Sequence, residues 1–370
     1  MRLVDLSVAA SGASRARWAL VYSTSDAASA ALATSARTRA DVVLGCTSSG
    51  GVFTPRGFER GAFALLGDEG DPTVEIAGRA CNAAAARRSA RDAAQQIVKR
   101  LGRKPDALLL HATPGFEERL IEGVDDAFEG AAPPMYGGSA ADDDLSGQWR
   151  VLHGSTIERE GFVLAGFASS APIHGSFVSG YVPGRQRGTV TRAAGRVVYE
   201  IDRRPAAEVY DEWRGGELGH EPGVVLAKTT LHPLGRVIDR VGNLPRHLLS
   251  HPHEVRSDGA LTLFTEVATG DELVMMIGSR GSLMDRTEQA VSRALGSERG
   301  RALRGGVLVY CGGCVMAIGD AAREVGTLYS RAIGGAPFIG AATFGEIGCF
   351  TGPTPTNRHG NLMCDTLLFA

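Results

Sequence analysis

The feature that most constrains the fold is an internal repeat, in which a short apolar strand lies between two helices. In the first copy the strand ALLLHA is flanked by predicted helices over 82–101 and 116–129. In the second copy the strand GVLVY is flanked by predicted helices over 285–295 and 320–332. Each copy then reaches a loop with Pro, an apolar pair, Gly and an acid, namely APPMYGGSAADD and GAPFIGAATFGEI. The order predicts an α/β (α+β) fold of duplicated units with mixed sheets. We expect the units to be related by pseudo-twofold symmetry, with a ligand cleft between them.

The first part of the chain has a strand–helix–strand pattern of its own. Apolar runs over 17–23 and 41–46 predict strands, and the Ala-rich segment 25–36 between them predicts a helix. The second strand ends in the loop CTSSGGV. In open α/β sheets, ligands collect at the carboxyl ends of strands. Cys46, Thr47 and Ser48 are therefore candidate ligand-binding residues.

Two domains are expected, over residues 1–215 and 216–370. Near the boundary, residues 188–199 have the pattern of a hairpin. Residues 232–253 are interrupted by Pro and His and predict a linker or an insertion without regular structure. The histidines at 247, 251 and 253 have no helical spacing, which favours a surface cluster over a metal site.

Charge and cysteine content exclude several classes of function. The 39 Lys+Arg nearly balance the 41 Asp+Glu, so we expect no nucleic-acid partner. No apolar run is long enough for a membrane helix. The 6 cysteines lack the spacing of a secreted disulfide scaffold, which favours the cytoplasm.

Cys311 and Cys314 form a Cys-x-x-Cys pattern between a buried strand and a helix. This placement is typical of redox sites, but it also suits packing under the helix, contact with a ligand or a reactive thiol. One pair is too few for a closed four-cysteine zinc site, and we expect no metal. The spacing by itself does not decide between dithiol redox chemistry, packing, ligand contact and a single reactive thiol.

Two further groups of polar residues are candidate ligand contacts. Around turn signals near the end of the chain they are Phe344, Glu346, Asn357, Arg358 and His359, and in the loop of the first copy they are Gly138, Ser139, Asp142 and Asp143. If the protein is an enzyme, Cys314 is the expected nucleophile, with Glu346 or His359 as its base.

Five motifs in order, LGCTSSGGVF, MYGGSAADDD, VYCGGCVMAIG, RAIGGAPFIGAATFGEIG and NRHGNLM, resemble those of the FIST N and FIST C domains. The resemblance implies a sensory module that binds small ligands, with amino acids proposed. Some bacterial members are reported to bind haem and to sense nitric oxide through a partner histidine kinase. The family motif carries Arg where Cys314 stands here, so this chain lacks a cation at that position.

The resemblance therefore implies a cytoplasmic sensory protein that binds an amino-acid-like molecule and signals through a separate partner such as a histidine kinase. A cysteine-dependent hydrolase or lyase acting in the cleft is the alternative, and a haem-binding nitric oxide sensor is the third hypothesis. No cofactor is expected under the first two. A homodimer is the default expectation.

Overall fold

The computed structural model describes residues 1–8, 14–219, 221–242, 244–351 and 355–370. The helices are α1 Ala30–Arg39, α2 Ala83–Leu101, α3 Glu117–Ala127, α4 Ala206–Trp213, α5 Leu226–Thr229, α6 Arg280–Leu295, α7 Gly312–Ile318 and α8 Ala322–Ala332. Short 3₁₀ helices cover Ser25–Ala27, Gly296–Glu298 and Gly319–Ala321. No helix in the described residues is long and apolar enough to cross a membrane.

The strands alternate with these helices along the chain. Those before α4 are β1 Arg2–Asp5, β2 Ala16–Ser23, β3 Ala40–Thr47, β4 Val52–Thr54, β5 Gly57–Glu59, β6 Ala62–Gly67, β7 Thr73–Ala80, β8 Ala107–Ala112, β9 Met135–Ser139, β10 Val151–His153, β11 Thr156–Glu158, β12 Gly161–Ala168, β13 Ile173–Val178, β14 Val182–Ala194, β15 Val197–Ile201 and β16 Arg204–Pro205. Those after it are β17 Gly223–Val224, β18 Leu234–Val241, β19 Leu244–Ser250, β20 Pro252–Val255, β21 Leu261–Leu263, β22 Glu272–Ile277, β23 Gly305–Cys311, β24 Phe338–Thr343, β25 Glu346–Phe350, β26 Thr356–Gly360 and β27 Cys364–Phe369.

Three six-stranded sheets have the same arrangement of strand directions. They run β1-β6-β2-β3-β10-β11, β7-β12-β8-β9-β25-β26 and β13-β27-β23-β24-β4-β5. In each sheet the third and fourth strands are parallel, and all other neighbours are antiparallel. The mixed α/β class is thereby confirmed. The two copies seen in the sequence are two of three units, because β1 to β6 form a further one. The predicted twofold relation stays a prediction.

The units exchange hairpins in a cycle. The hairpin β4–β5 of the first unit extends the sheet of the third, β10–β11 of the second extends that of the first, and β25–β26 of the third extends that of the second. Sheets therefore combine strands from both sides of residue 215, and the predicted domain boundary stays a prediction. Each unit receives the last two strands of its sheet from one of the other units and gives two strands to the other.

An aromatic cluster marks the shared core of the three sheets. Trp18 of β2, Phe167 of β12 and Phe369 of β27 come one from each sheet and are all buried. Their ring centroids lie 5.9 Å, 6.2 Å and 5.3 Å apart. The Trp18–Phe167 pair is edge-to-face, a geometry that adds to the hydrophobic stabilisation of large buried rings.

The fourth sheet, β17-β20-β21-β15-β14-β22-β18-β19, is inserted between β13 and α6. The hairpin predicted over 188–199 is present as β14 and β15. Residues 232–253, expected as a linker or an insertion, lie within this inserted region, but they have regular structure, since β18 and β19 pair as a hairpin and β20 follows. Asn243, within that segment, lies outside the described residues. Prolines at edge positions do not prevent strand pairing, and this explains the error.

Local signals set the helix ends. Asn82 caps α2 by accepting a hydrogen bond from the Ala85 N–H, and Gly102 ends the helix with a φ of 69°. The predicted helix over 25–36 is instead a short 3₁₀ turn followed by α1. Ser29 caps α1 by accepting from the Leu32 N–H, so the helix begins five residues later than expected.

Candidate functional site

Three loops, one from each unit, meet where the second parallel strand of each unit ends. Three backbone hydrogen bonds join the loops in a ring, in which each loop donates to one neighbour and accepts from the other. The three bonds run from Ala141 N to Thr47 O at 3.0 Å, from Phe344 N to Ser139 O at 3.2 Å and from Ser49 N to Ala342 O at 3.0 Å. We call this ring the three-loop junction.

Glycines allow the parallel strands before the junction to approach closely. Gly45 of β3 and Gly137 of β9 pair with Val21 and Leu110. A Cβ at Gly45 would lie 1.8 Å from the Val21 carbonyl oxygen, and one at Gly137 would lie 2.1 Å from that of Leu110. No larger residue fits either position, so the repeated glycines fix where the loops start.

A cavity of about 240 Å³, the junction pocket, opens beside the three-loop junction. Apolar side chains and a few polar groups form its walls. The lining residues are Ser49, Asp143, Asp144, Leu145, Leu226, His251, Phe264, Cys311, Gly312, Gly313, Met316, Phe344 and Asn361. All three units contribute, and the inserted sheet region closes one side with Leu226, His251 and Phe264. The pocket therefore forms only when segments that are far apart in the chain pack together.

Cys311 and Cys314, the dithiol pair, stand at one wall. Cys311 is the N-cap residue of α7 and lines the pocket, while Cys314 lies behind it and is fully buried. The Tyr181 hydroxyl donates to the Thr230 carbonyl at 2.8 Å and lies 3.6 Å from the Cys314 Sγ. Both thiols are free.

Arg286 of α6 supplies a buried positive charge beside this pair. The Arg286 side chain is 0% exposed and stacks over the Tyr310 ring, with its Cζ 4.0 Å from the ring centroid. Its Nη1 donates to the Leu362 carbonyl at 2.7 Å, whereas its Nε and Nη2 have no hydrogen-bond partner among the described residues.

The buried surroundings shift the pKa values of Cys314, Cys311 and Glu346 in different directions. Burial opposes the ionisation of Cys314, but hydrogen bonding from Cys311 and the charge of Arg286 outweigh it and lower the Cys314 pKa to about 6. Burial raises the pKa of Cys311 well above its usual range. Burial, with a smaller effect of Cys314, raises the pKa of Glu346 to about 8. At neutral pH a Cys314 thiolate balances Arg286, and Glu346 is mostly protonated.

Glu346 gives a testable pH dependence. The folded chain keeps its proton up to about pH 8, while the unfolded chain releases it near 4.5. The folded state binds more protons in this window, so the wild type should lose stability as pH rises through it. Each pKa unit is worth about 1.4 kcal/mol. Urea unfolding should show that the free energy of unfolding of the wild type falls between pH 5 and pH 8. In Glu346→Gln this fall should be smaller by roughly 2–4 kcal/mol. Equal slopes in the two proteins would contradict the assignment.

His251 is the histidine in the pocket wall. The prediction of a surface cluster is wrong for it, because its side chain is 3% exposed. Its Nε2 lies 3.1 Å from the Leu226 carbonyl oxygen, which can only accept, so Nε2 carries the proton and donates. Burial lowers its pKa to about 3, and the ring is neutral.

The pocket does not fit haem. The Nε2 of its one lining histidine, His251, is already bonded to the chain. The volume of about 240 Å³ is below the roughly 300–1,000 Å³ of pockets for drug-sized ligands, and a porphyrin is larger than most such ligands.

The two aspartates predicted in the middle loop have different positions. Asp142 is fully buried and accepts from the Leu145 and Gln148 N–H groups at 2.8 Å and 2.7 Å. Asp143 lines the pocket but also accepts from Arg60 at 2.9 Å and from the Gly50 N–H at 2.7 Å. Asp142 shapes the loop, and the charge of Asp143 is balanced by Arg60.

A second buried cluster lies apart from the residues that line the pocket. Glu117, Glu118 and His359 place ligand atoms close enough for a metal ion. Arg196, however, donates to both carboxylates at 2.6 Å, and the His359 Nδ1 lies 3.0 Å from Glu118. Burial opposes ionisation, but interactions with His359 and Arg196 hold the pKa of both glutamates below the usual range. The cluster is an ion-pair network already supplied with a cation.

The structure divides the predicted site residues into three groups. Cys311, Phe344 and Asp143 line the junction pocket. Those within or directly behind the three-loop junction are Thr47, Ser48, Gly138, Ser139, Asp142, Cys314 and Glu346. Cys46, Asn357, Arg358 and His359 do not line this pocket. Cys46 is packed in the core, Asn357 bonds the backbone of residues 133 and 135, and Arg358 bonds the Asn357 carbonyl.

The predicted catalytic residues Cys314, Glu346 and His359 do not form one site, because both candidate bases bond other partners. Glu346 accepts from the Thr343 hydroxyl at 2.9 Å and from the Met363 N–H at 2.9 Å, and His359 belongs to the ion-pair network. Sequence reasoning missed Leu226, Phe264 and Met316 in the pocket wall, and Arg286 behind it. Apolar residues in an insertion and an arginine within a helix carry no local signal of a site.

Comparison with protein families agrees with this architecture. The FIST N domain profile matches residues 17–204, and the FIST C domain profile matches residues 206–349. A search of curated proteins finds no match to the chain. The junction pocket lies where the two matched segments meet. The protein belongs to the FIST family, whose domains are generally described as small-ligand sensory domains of signalling proteins.

Proposed function

We propose that this protein is a cytoplasmic sensor that binds a small, uncharged and mostly apolar molecule in the junction pocket and signals through a separate partner such as a histidine kinase. One observation carries the proposal. The pocket wall combines residues of the FIST N segment, such as Ser49 and Leu145, with residues of the FIST C segment, such as His251 and Phe344. A bound ligand therefore contacts both segments at once and can bias how they pack.

The wall chemistry supports an uncharged ligand. Leu145, Leu226, Phe264, Met316 and Phe344 supply apolar contacts. No arginine or lysine is among the described lining residues, so the carboxylate of an amino-acid-like ligand would lack a cationic partner there. Neutral His251 and the Asn361 amide leave room for one or two hydrogen bonds.

The same geometry favours binding over turnover. Cys314, the thiol with the lowered pKa, is 0% exposed, and Cys311, the thiol at the pocket, has a raised pKa. A hydrolase or lyase also needs a base beside its substrate, and neither Glu346 nor His359 lines the pocket. Hydrolysis or lyase chemistry remains the alternative that the experiment below also detects.

Filling the mouth of the pocket should abolish binding. Met316 lines the pocket and is 56% exposed, so Met316→Trp adds bulk without disturbing the core. Native mass spectrometry of the freshly purified wild type, alone and with a panel of small uncharged aliphatic and aromatic compounds, should show bound mass. Met316→Trp should weaken that binding at least about tenfold, equivalent to about 1.4 kcal/mol.

Val182→Trp is the matched control. Val182 is 60% exposed and does not line the pocket, so this variant should bind like the wild type. A wild type that binds no member of the panel, or a Met316→Trp variant that binds equally well, would contradict the proposal. Chemical conversion of a bound compound would favour the enzyme alternative.

A further inference from the structure

The dithiol pair is placed as a reactive pair at the wall of the junction pocket. Cys311 occupies the N-cap of α7 and Cys314 is the third residue of that helix. Side chains at these two positions of a helix lie next to each other, as in a capping box. Only Cys311 of the two lines the pocket, and Cys314 is fully buried. A molecule in the pocket can therefore react with Cys311 directly, whereas Cys314 can react only with a group already bound to Cys311.

Arg286 is a second, independent observation that points to this pair. Its guanidinium is fully buried, and two of its nitrogens, Nε and Nη2, have no hydrogen-bond partner in the part of the chain that the structure describes. A buried cation is costly unless an anion lies beside it. The Cys314 sulfur, as a thiolate, is such an anion, and the Tyr181 hydroxyl lies 3.6 Å from it.

We propose that Cys311 and Cys314 form a thiol–disulfide exchange site that reacts with a small, uncharged disulfide entering the junction pocket. The inference rests on the proposed function in one respect, the entry of a small uncharged molecule into this pocket. Beyond the proposed function, the inference names a small disulfide as the reactant and a Cys311–Cys314 disulfide as the product. Of the 6 cysteines only Cys311 lines this pocket, and Cys314 lies beside it in the first turn of α7.

The exchange proceeds in two steps. Cys311 Sγ attacks one sulfur of the disulfide RSSR as its proton passes to the Cys314 thiolate. A bond from Cys311 to that sulfur forms, the S–S bond of RSSR breaks, and RS⁻ leaves. The departing RS⁻ then takes the proton from Cys314 to become RSH.

In the second step Cys314 Sγ attacks Cys311 Sγ. The bond between Cys311 and the small thiol breaks, and a second RS⁻ is released. The two protein sulfurs have lost two electrons in forming the Cys311–Cys314 bond, and the small disulfide has gained them as RSH and RS⁻. Total charge is unchanged, and no further reactant is needed.

The experiment uses the full chain and 2-hydroxyethyl disulfide. After timed reaction and alkylation, intact mass and peptide mapping should show loss of two hydrogens and a disulfide within residues 311–314. Cys314→Ser should instead accumulate the mixed disulfide on Cys311, and Cys311→Ser should leave Cys314 unmodified. The pair should oxidise at least about tenfold faster than any adduct forms on Cys81.

Cys81→Ser is the control. Cys81 is 9% exposed against 5% for Cys311, so non-specific reaction with the most accessible thiol would modify Cys81 first. This variant should react like the wild type. Preferential modification of Cys81, a reduced 311–314 peptide, or pairing of Cys314 with Cys364 would overturn the inference.

The outcomes separate this inference from the proposed function. If panel binding depends on Met316 but the dithiol pair stays reduced, the exchange site alone is wrong. If the pair oxidises but panel binding is unaffected by Met316→Trp, the proposed function is wrong and the exchange chemistry stands.

Discussion

Arg286→Met is expected to lower the free energy of unfolding by about 3–5 kcal/mol at neutral pH, because it leaves a buried thiolate without its cation. The side chain is 0% exposed and also bonds the Leu362 and Ser179 carbonyl oxygens, which lose their donor. Urea unfolding followed by circular dichroism measures the change. Methionine keeps most of the volume and the contact with Tyr310, so a cavity contributes little.

A control and a double mutant make the result specific to the charge. Arg293→Met removes an exposed arginine from the same helix and should change stability by no more than about 0.5 kcal/mol. Cys314→Ala should cost less in the Arg286→Met background than in the wild type, since each partner then lacks the other. If Arg286→Met were as mild as Arg293→Met, or if the two changes were additive, the ion pair would be disproved.

Arg196→Met is the second substitution with a large expected effect, about 3 kcal/mol at pH 7. Arg196 donates to Glu117 and Glu118 at 2.6 Å, and the Glu117 side chain is 1% exposed. Both glutamates have a lowered pKa in the folded chain. Their contribution to stability is therefore present above about pH 4.5 and is lost as pH falls through the folded pKa values.

The loss caused by Arg196→Met should accordingly be largest at neutral pH and should shrink below about pH 4.5. Urea unfolding at several pH values measures it. Arg192→Met, on the same hairpin, breaks an exposed pair with Glu200 at 3.0 Å and should cost at most about 1 kcal/mol. A cost for Arg196→Met that is the same at pH 4 and pH 7 would show that packing rather than charge is responsible.

Local patterns predicted the elements whose causes are local. The strand ALLLHA, residues 107–112, was predicted with the bounds that the structure shows, because it is a continuous apolar run between polar segments. The hairpin β18–β19 was missed, because its prolines and histidines resemble a loop while pairing with β22 supplies its partners. The first unit was missed because, in the residues that the structure describes, it shows no helix before its buried strand β2, whereas α2 and α6 precede the buried strands of the other two.

Local sequence patterns also predicted part of the site. Small-residue loops at strand ends indicated Cys311, Phe344 and Asp143, which line the pocket. Asn357 and His359 were predicted from their closeness in sequence to the TFGEI loop, but on β26, an edge strand of the second sheet, they bond residues 133 and 135 and Glu118 instead. Arg286 and Phe264 come from separate elements, and only the exchange of hairpins and the inserted sheet bring such residues to one place.

The most direct test of the account is methionine-methyl NMR of the full chain titrated with the panel of small uncharged compounds. Met316 lines the junction pocket, whereas Met276 and Met363 line a separate cavity. We predict that binding compounds shift the Met316 methyl signal and leave those of Met276 and Met363 in place. Binding that moves Met276 or Met363 but not Met316, or a panel that moves none of them, would contradict the assignment of the junction pocket as the ligand site.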